Sequence, residues 1–551
     1  MYSNKELSQW VVAYCVAYDV EHVIISPGSR NAPLTIGFTN QPKIKTYSIV
    51  DERCAAFFAL GIAQQTRKPT AVVCTSGSAL LNYYPAVAEA FYSDIPLIVI
   101  SADRPKHLID IGDGQAIRQE NVFKNHSLFN ANLVEGNENR SVNSQLISDA
   151  IQIALNQKGP VHINVPFDEP LYETTSLTIK HDRLVDESLQ NEETLHNFEY
   201  FGEKWNACSK KIVLIGANYP NQKLQEQLIE LAKDDSVLIF TESTSNLFDD
   251  KFINSIDKLI APLNEADFLD LKPELLLSLG GMVISKKVKH FFRKYKPKHH
   301  LHVDKKNAPN TFHCLKYHFD ISPTVFFDNF LKHTKPVLST YQKRWLSIKK
   351  DRNAKHTQFL NDVEFSDLKV VDIVLKNIPD QTHLQLANSS IVRYAQLFDN
   401  NPALKIFCNR GTSGIDGSTS TAIGAAHAVK GQTVFITGDI SFFYDSNALW
   451  NTYIKNDFRI ILINNGGGGI FKILPEPSKT NALDYFETPH HLTAEHLCKM
   501  YQFQYVSIVN EEELDQQLKI FFNKGETPKL LEIFTPNEIN DKVLKSYFKN
   551  L

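Results

Sequence analysis

The chain has no cysteine pair at metal-binding or redox spacing. Its seven cysteines, Cys15, Cys54, Cys74, Cys208, Cys314, Cys408 and Cys498, are odd in number and include no Cys-x-x-Cys. That excludes a disulfide-stapled framework and predicts free, mostly buried thiols in a reducing compartment. No apolar run approaches the roughly 18 residues needed to span a bilayer, and Met1 to Glu6 lack the basic-then-apolar pattern of a secretion signal. A soluble, cytoplasmic protein is expected. An excess of one charge is missing too: a net charge of −4 with 22% charged residues gives no electrostatic case for nucleic acid or an anionic membrane. Tandem repeats and low-complexity tracts are absent, and 551 residues suit three or so domains.

What is present is a succession of short apolar runs separated by helix-length segments, the pattern of strand-helix-strand units in a parallel sheet. The most informative run, Thr433 to Ile436, leads into Gly438-Asp439-Ile440-Ser441. One unit later, Ile460 to Ile463 leads into Asn464-Asn465-Gly466-Gly467-Gly468-Gly469-Ile470-Phe471. Ligands of open parallel sheets collect outside the carboxyl ends of strands, so Asp439 and Asn465 are expected side by side as hard oxygen ligands. Mg²⁺ suits such a pair, because it takes one or two protein oxygens and completes its octahedron with water and phosphate. The glycines after Asn465 let backbone approach a diphosphate closely. Either half alone carries no signal.

Along the chain, Ser3 and Glu6 read as a capping box before a helix carrying Leu7, Trp10, Val11 and Tyr14. The strand Val23 to Ile25 runs into Ser26-Pro27-Gly28-Ser29-Arg30, and the strand Thr46 to Val50 into Asp51-Glu52-Arg53, which opens a helix whose Ala55, Ala56, Ala59, Leu60 and Ala63 should pack closely. A first-turn glutamate ordinarily just complements the helix dipole. Ala71 to Cys74 and Leu97 to Ile100 are further strands; Arg104 follows the second, and Gln115 lies in the loop beyond. Val161 to Val165 closes the first domain, and the polar stretch Ser176 to Asn197 reads as a linker. Lys211 to Leu214, Val237 to Phe240, Leu275 to Leu279 and Leu301 to Val303 build a second sheet. No Gly-x-Gly-x-x-Gly follows its first strand, so no dinucleotide is expected there. The basic stretch with His299, His300 and His302 reads as a solvated segment, and Lys286 and Lys287 follow Gly280-Gly281 with no means of choosing between them. Beyond the charged segment Lys343 to Lys355, Ser389, Arg393 and Arg410 follow the strands Leu384 to Leu386 and Leu404 to Phe407, and Ile415 follows them. Three doubly wound α/β domains are expected, at 1–175, 198–335 and 356–551.

Three such domains, the Gly-Asp and Asn-Asn element in the third and a helix-start glutamate in the first resemble the thiamine diphosphate enzymes of the pyruvate oxidase type. The resemblance implies a first domain for the aminopyrimidine and a third for the diphosphate, facing each other across the interface of a homodimer or homotetramer. Ser26 to Asn31, Asp51 to Arg53, Ala102 to Pro105, Gln115 to Gln119, Asn409 to Gly411 and Asn465 to Phe471 are similar to one branch of that family. Its members decarboxylate 2-oxoglutarate and add the remainder to isochorismate in menaquinone biosynthesis. By the resemblance, Glu52 bonds the aminopyrimidine ring nitrogen, Ile415 keeps the cofactor folded, and Gly438, Asp439, Ile440, Ser441, Asn465, Gly467 and Ile470 hold it. Asp439, Asn465 and the Gly467 carbonyl ligate Mg²⁺, or Mn²⁺ in its place. Ser29, Arg30, Arg104, Gln115, Lys286, Ser389, Arg393 and Arg410 are implied as polar substrate contacts, and Ile470, Phe471 and Leu474 as an apolar wall. Guanidinium forks suit substrates that bring several carboxylates. Another thiamine diphosphate decarboxylase or carboligase would need fewer of them. A silent relative would have lost Glu52 or Asp439, and both are present.

Overall fold

The computed structural model describes residues 1–177, 196–399, 401–473 and 480–551. The apolar runs pair into three six-stranded sheets that follow one another along the chain. In spatial order the first is Lys45–Ser48, His22–Ile25, Thr70–Cys74, Leu97–Asp103, Val161–Pro166 and Phe129–Asn132, parallel throughout. The second is Phe252–Ile253, Val237–Phe240, Lys211–Ile215, Leu275–Leu279, His299–Val303 and Tyr317–Phe319, again all parallel. The third is Lys405–Cys408, His383–Leu386, Thr433–Gly438, Phe458–Asn464, Lys529–Phe534 and Gln504–Ile508, with the same sense. In each sheet the earliest strand lies inside, so the chain departs from it in both directions and leaves a crevice at the carboxyl edge. Central strands such as Leu97–Asp103 and Phe458–Asn464 are buried along their whole length, as strands covered by helices on both faces must be.

Several local expectations are corrected. Ser3 is no helix cap: it pairs with Thr174 in a two-residue strand, its hydroxyl accepts the Lys5 N–H at 3.2 Å, and the helix Glu6–Ala17 starts without a side-chain cap. The strand expected at Leu301 to Val303 starts at His299 and lies inside the sheet, so His300 and His302 are buried rather than solvated. Alternation puts His300 and His302 on one face, where they share the Ser278 hydroxyl at 2.8 and 2.9 Å. Burial lowers both histidines, His300 to about 4, which suits neutral core side chains. The charged segment Lys343 to Lys355 lies within a 22-residue helix, Tyr341–Asp362. Its Trp345 is buried in the core of the second sheet, while His356 meets the Tyr547 hydroxyl at 2.8 Å beside the third. Most of the linker reading, 178–195, falls outside the described residues.

The first and third sheets share one apolar core, in which Ile24, Leu60 and Val72 are continuous with Ala422, Phe435 and Ile460. The seam is the helix pair Glu52–Thr66 and Ser418–Ala428, and the alanine face of the first helix is fully buried in it. A Cβ at Gly61 would overlap the Thr421 carbonyl, and one at Gly424 the Phe58 carbonyl. Backbone therefore touches backbone. At its end the seam closes over Asp445, whose carboxylate accepts the Ser420 N–H at 2.7 Å and faces Arg53 at 3.6 Å. This contact sets where Glu52 stands relative to the third sheet.

Candidate active site

At the edge of the first sheet, helix capping falls to Asp51, not Glu52. Asp51 accepts the Cys54 N–H at 3.1 Å and the Asn447 amide at 2.9 Å. Glu52 is thereby left half-buried, with one long contact from the Asn82 amide at 3.2 Å. The switch point of this sheet lies between His22–Ile25 and Thr70–Cys74. There Gly28 presses on Thr75, and the Arg30 N–H donates to the Thr75 hydroxyl at 3.2 Å. The Arg30 guanidinium is buried, donating to the Phe167 carbonyl at 2.9 Å and pairing with Glu169 at 3.3 Å. Arg104 pairs with Asp113 at 2.7 Å and donates to the Gly114 carbonyl. Burial and then the charge of Arg104 depress Arg30. Ser29 and Gln115 are exposed beside them, Gln115 in a left-handed conformation against Gly77. Gln119 fixes that loop by accepting the Gly77 N–H at 2.9 Å and donating to Asn164 at 3.0 Å.

At the edge of the third sheet, the structure brings Asp439 and the glycine loop together. One Asp439 oxygen accepts the Ile440 N–H at 2.7 Å, the other accepts the Gly467 N–H at 2.9 Å, and His490 stands 3.3 Å away. Burial raises the Asp439 carboxyl to about 6, against the pull of those N–H groups. Gly466 is left-handed, and a Cβ at Gly467 would lie 2.8 Å from the Glu487 carbonyl, so neither position accommodates a side chain. The Asn465 amide donates to Asp367 at 2.8 Å, while its Oδ1 is buried with no partner. A buried acceptor without a donor calls for a cation or an ordered water. Asp439, Asn465 Oδ1 and the glycine loop thus match Mg²⁺ with a diphosphate. The Ser441 hydroxyl donates to the Ile415 carbonyl at 2.8 Å, which anchors Ile415 near this edge, and Gly438 precedes the helix Asp439–Tyr444. Ile470 opens the helix Ile470–Ile473, and Phe471 packs on Phe486 at 5.3 Å. Leu474 lies outside the described residues.

A second group of cations gathers where the second and third sheets meet. Ser389 is left-handed before the short helix Ser390–Ala395 that carries Arg393. Arg410 is buried and donates to Asn388 at 2.7 Å; the Nε atoms of Arg393 and Arg410 have no partner. Two buried glutamates shape this region. Glu89, from the first sheet's helices, accepts the Gly411 N–H at 2.8 Å and the Thr412 N–H at 2.7 Å. Glu242 accepts the Ile284 and Ser285 N–H groups, each at 2.7 Å. It thereby pins the start of the helix Lys286–Lys294. Lys286 is exposed there, and Lys287 lies over the Phe548 ring at 4.7 Å. Lys289, which sequence reading passed over, is half-buried and feels Glu242, Arg410, Arg293 and Arg393. Burial and the charge of Arg410 depress both Lys289 and Arg393. Only the periodicity of the helix, with Lys289 one turn beyond Ser285, could have singled it out.

Three parallel sheets with a diphosphate-type cradle on the last define a thiamine pyrophosphate (thiamine diphosphate) enzyme. The family model of the N-terminal TPP binding domain of these enzymes matches residues 5–127, and that of the C-terminal TPP binding domain matches residues 389–533. The chain is similar to the 2-succinyl-5-enolpyruvyl-6-hydroxy-3-cyclohexene-1-carboxylate synthase of Flavobacterium johnsoniae, 54% identical over 555 residues with 100% of both chains covered. The synthase of the same name from Flavobacterium psychrophilum is 54% identical over 553 residues, also covering 100% of both. That of Porphyromonas gingivalis is 38% identical over 567 residues, covering 99% of this chain and 97% of its own. The chain belongs to the family of these synthases, and it is a thiamine diphosphate-dependent enzyme.

Glu242 generates a pH prediction. Burial, with Asp257 nearby, raises its carboxyl from 4.5 to about 7, against the pull of two N–H groups and Arg410. The folded chain therefore keeps a proton that the unfolded chain has lost between those values. This contribution to stability is complete below about pH 4.5 and is lost as pH rises through 7, by up to about 3 kcal/mol. Glu242→Gln removes the titration. Thermal melting of both proteins from pH 5 to 8 should show the wild type losing ground to the variant as pH rises; a constant difference contradicts it.

Proposed function

We propose that the enzyme decarboxylates 2-oxoglutarate and joins the remaining four carbons to isochorismate by 1,4-addition. The products are CO₂ and 2-succinyl-5-enolpyruvyl-6-hydroxy-3-cyclohexene-1-carboxylate, an intermediate of menaquinone biosynthesis. The observation that carries this reading is the cation group Arg393, Arg410 and Lys289, which forms no ion pair with a described carboxylate. The two substrates bring four carboxylates between them. Each charge-assisted contact is worth roughly 1.5–3 kcal/mol, so a donor with one carboxylate, such as pyruvate, forgoes part of that stabilisation. Arg30 and Arg104, now tied to Glu169 and Asp113, exchange those partners for substrate, with Ser29, Gln115, Ser389 and Lys286 as further polar contacts.

Thiamine diphosphate, when bound, supplies a thiazolium electron sink for loss of CO₂ and for carbon-carbon bond formation. The chain's own groups hold and orient. Glu52, free of capping duty, keeps a proton at the aminopyrimidine ring nitrogen. Asp439, Asn465 Oδ1 and the Gly467 carbonyl would hold Mg²⁺, or Mn²⁺ in its place, which would neutralise the diphosphate. Gly438, Ile440, Ser441 and Ile470 would hold the diphosphate, Ile415 would support the cofactor, and Ile470 with Phe471 would exclude water from the apolar side.

The working unit in this reading is a dimer or a higher assembly of dimers, with Glu52 from one chain facing Asp439 of another. Exposed apolar side chains support it: Val50 and Leu81 flank Glu52 and Asn82 in sequence, Tyr444 lies against Arg53 at 4.8 Å, and Trp450 and Met500 line one cavity with Val50. Contiguous exposed apolar surface marks a contact site. Among the described residues no helix is long and apolar enough to cross a membrane, and the free cysteines suit a cytosolic setting.

Two experiments follow. In Arg393→Lys and Arg410→Lys the charge stays but the fork is lost; each should raise the KM of one substrate about tenfold, a part of the contact energy above, with thiamine diphosphate affinity level. Equal effects on pyruvate and 2-oxoglutarate turnover would defeat the dicarboxylate reading. Mixing inactive Glu52→Gln chains with inactive Asp439→Ala chains should restore activity, because one site in each mixed dimer is intact. No recovery after verified subunit exchange would exclude shared sites.

A further inference from the structure

We propose that Asp367 is the positioning residue of the metal site, setting which pole of the Asn465 amide faces the cation. This rests on the reading of Asp439 and Asn465 as metal ligands. The oxygen and nitrogen ends of an asparagine amide have nearly the same shape, and only the oxygen can ligate a cation. Something must therefore decide between two orientations of similar fit.

Asp367 makes that decision by charge. Its Oδ2 accepts Asn465 Nδ2 at 2.8 Å, which leaves Asn465 Oδ1 as the buried pole without a partner. Turning the amide over would set oxygen against a carboxylate and present an N–H₂ group to the metal. Asp367 is itself held from two further sides. Its Oδ1 accepts the Thr535 hydroxyl at 2.6 Å, and its own N–H donates to Asn540 Oδ1 at 2.8 Å. It is 3% exposed and is the first residue of the helix Asp367–Asn377, where the helix dipole favours a negative charge. Three segments far apart in sequence, ending at Asp367, Asn465 and Thr535, thus converge on one amide. An anion behind the amide also polarises it and strengthens its oxygen as a ligand, as outer-shell carboxylates do for metal-bound imidazoles.

The test uses full-length protein stripped of metal and titrated with Mg²⁺ at fixed thiamine diphosphate, with cofactor binding followed by tryptophan fluorescence. Asp367→Asn keeps the shape but ends the preference between orientations, and half-saturating Mg²⁺ should rise 10- to 100-fold, the usual loss when an outer-shell partner is removed. Thr535→Val loosens Asp367 without touching Asn465, and should move the midpoint the same way by less; it decides the matter if Asp367→Asn does not fold. A merely structural role would lower the melting temperature of the metal-free protein and leave the Mg²⁺ midpoint where it is. An unmoved midpoint overturns the proposal. Asp439→Ala separates the two levels of inference: if it also leaves the Mg²⁺ dependence unchanged, the metal-site reading falls, and if it alone abolishes binding, only the role of Asp367 does.

Discussion

Three parallel sheets deliver their loops to three edges, and the protein works only if those edges are held in register. The contact that does this between the first and third sheets is the helix pair Glu52–Thr66 and Ser418–Ala428, where Gly61 and Gly424 let backbone meet backbone. A side chain at either position would push the helices apart, and the first helix carries Glu52 at its start. Close packing in the core thus fixes the position of a group at the edge. Buried interiors transmit such displacements, because they are packed to the density of a solid.

Electrostatics is divided in a consistent way across that frame. Four buried carboxylates bond to backbone or to amides: Glu89 holds Gly411 and Thr412, Glu242 holds Ile284 and Ser285, Asp445 holds Ser420 while facing Arg53, and Asp367 holds Asn465. Those of Glu89 cross from the first sheet's helices to the third sheet's loops. Arg393 and Lys289 form no ion pair with a described carboxylate, and burial together with the charge of Arg410 disfavours their charged forms. Cations that form no ion pair with a described carboxylate suit the multiply charged anions of the proposed reaction.

Much of this was legible in the sequence, for a physical reason. Central strands are apolar throughout and end in small or polar residues, so the loops after Thr433 to Ile436 and Ile460 to Ile463 stood out, and Asp439 does meet Gly467. What was hidden depends on contacts distant in the chain. Nothing around Asp367 points to Asn465, and nothing around Glu89 points to Gly411. Edge strands such as Phe129–Asn132 and Phe252–Ile253 were missed because half-solvated or two-residue strands leave no apolar run. His300 and His302 misled because polar side chains usually mark solvent, and here each finds the Ser278 hydroxyl inside the sheet.

In the proposed reaction the cations Arg393, Arg410 and Lys289 select two multiply charged acids. The most direct measurement incubates purified enzyme with thiamine diphosphate, Mg²⁺ and 2-oxoglutarate, with and without isochorismate, and identifies the products by mass spectrometry. The 1,4-adduct and CO₂ are expected in equal amounts when both acids are present, with pyruvate a poor donor. Free decarboxylation that ignores isochorismate, or equal use of pyruvate, would contradict it.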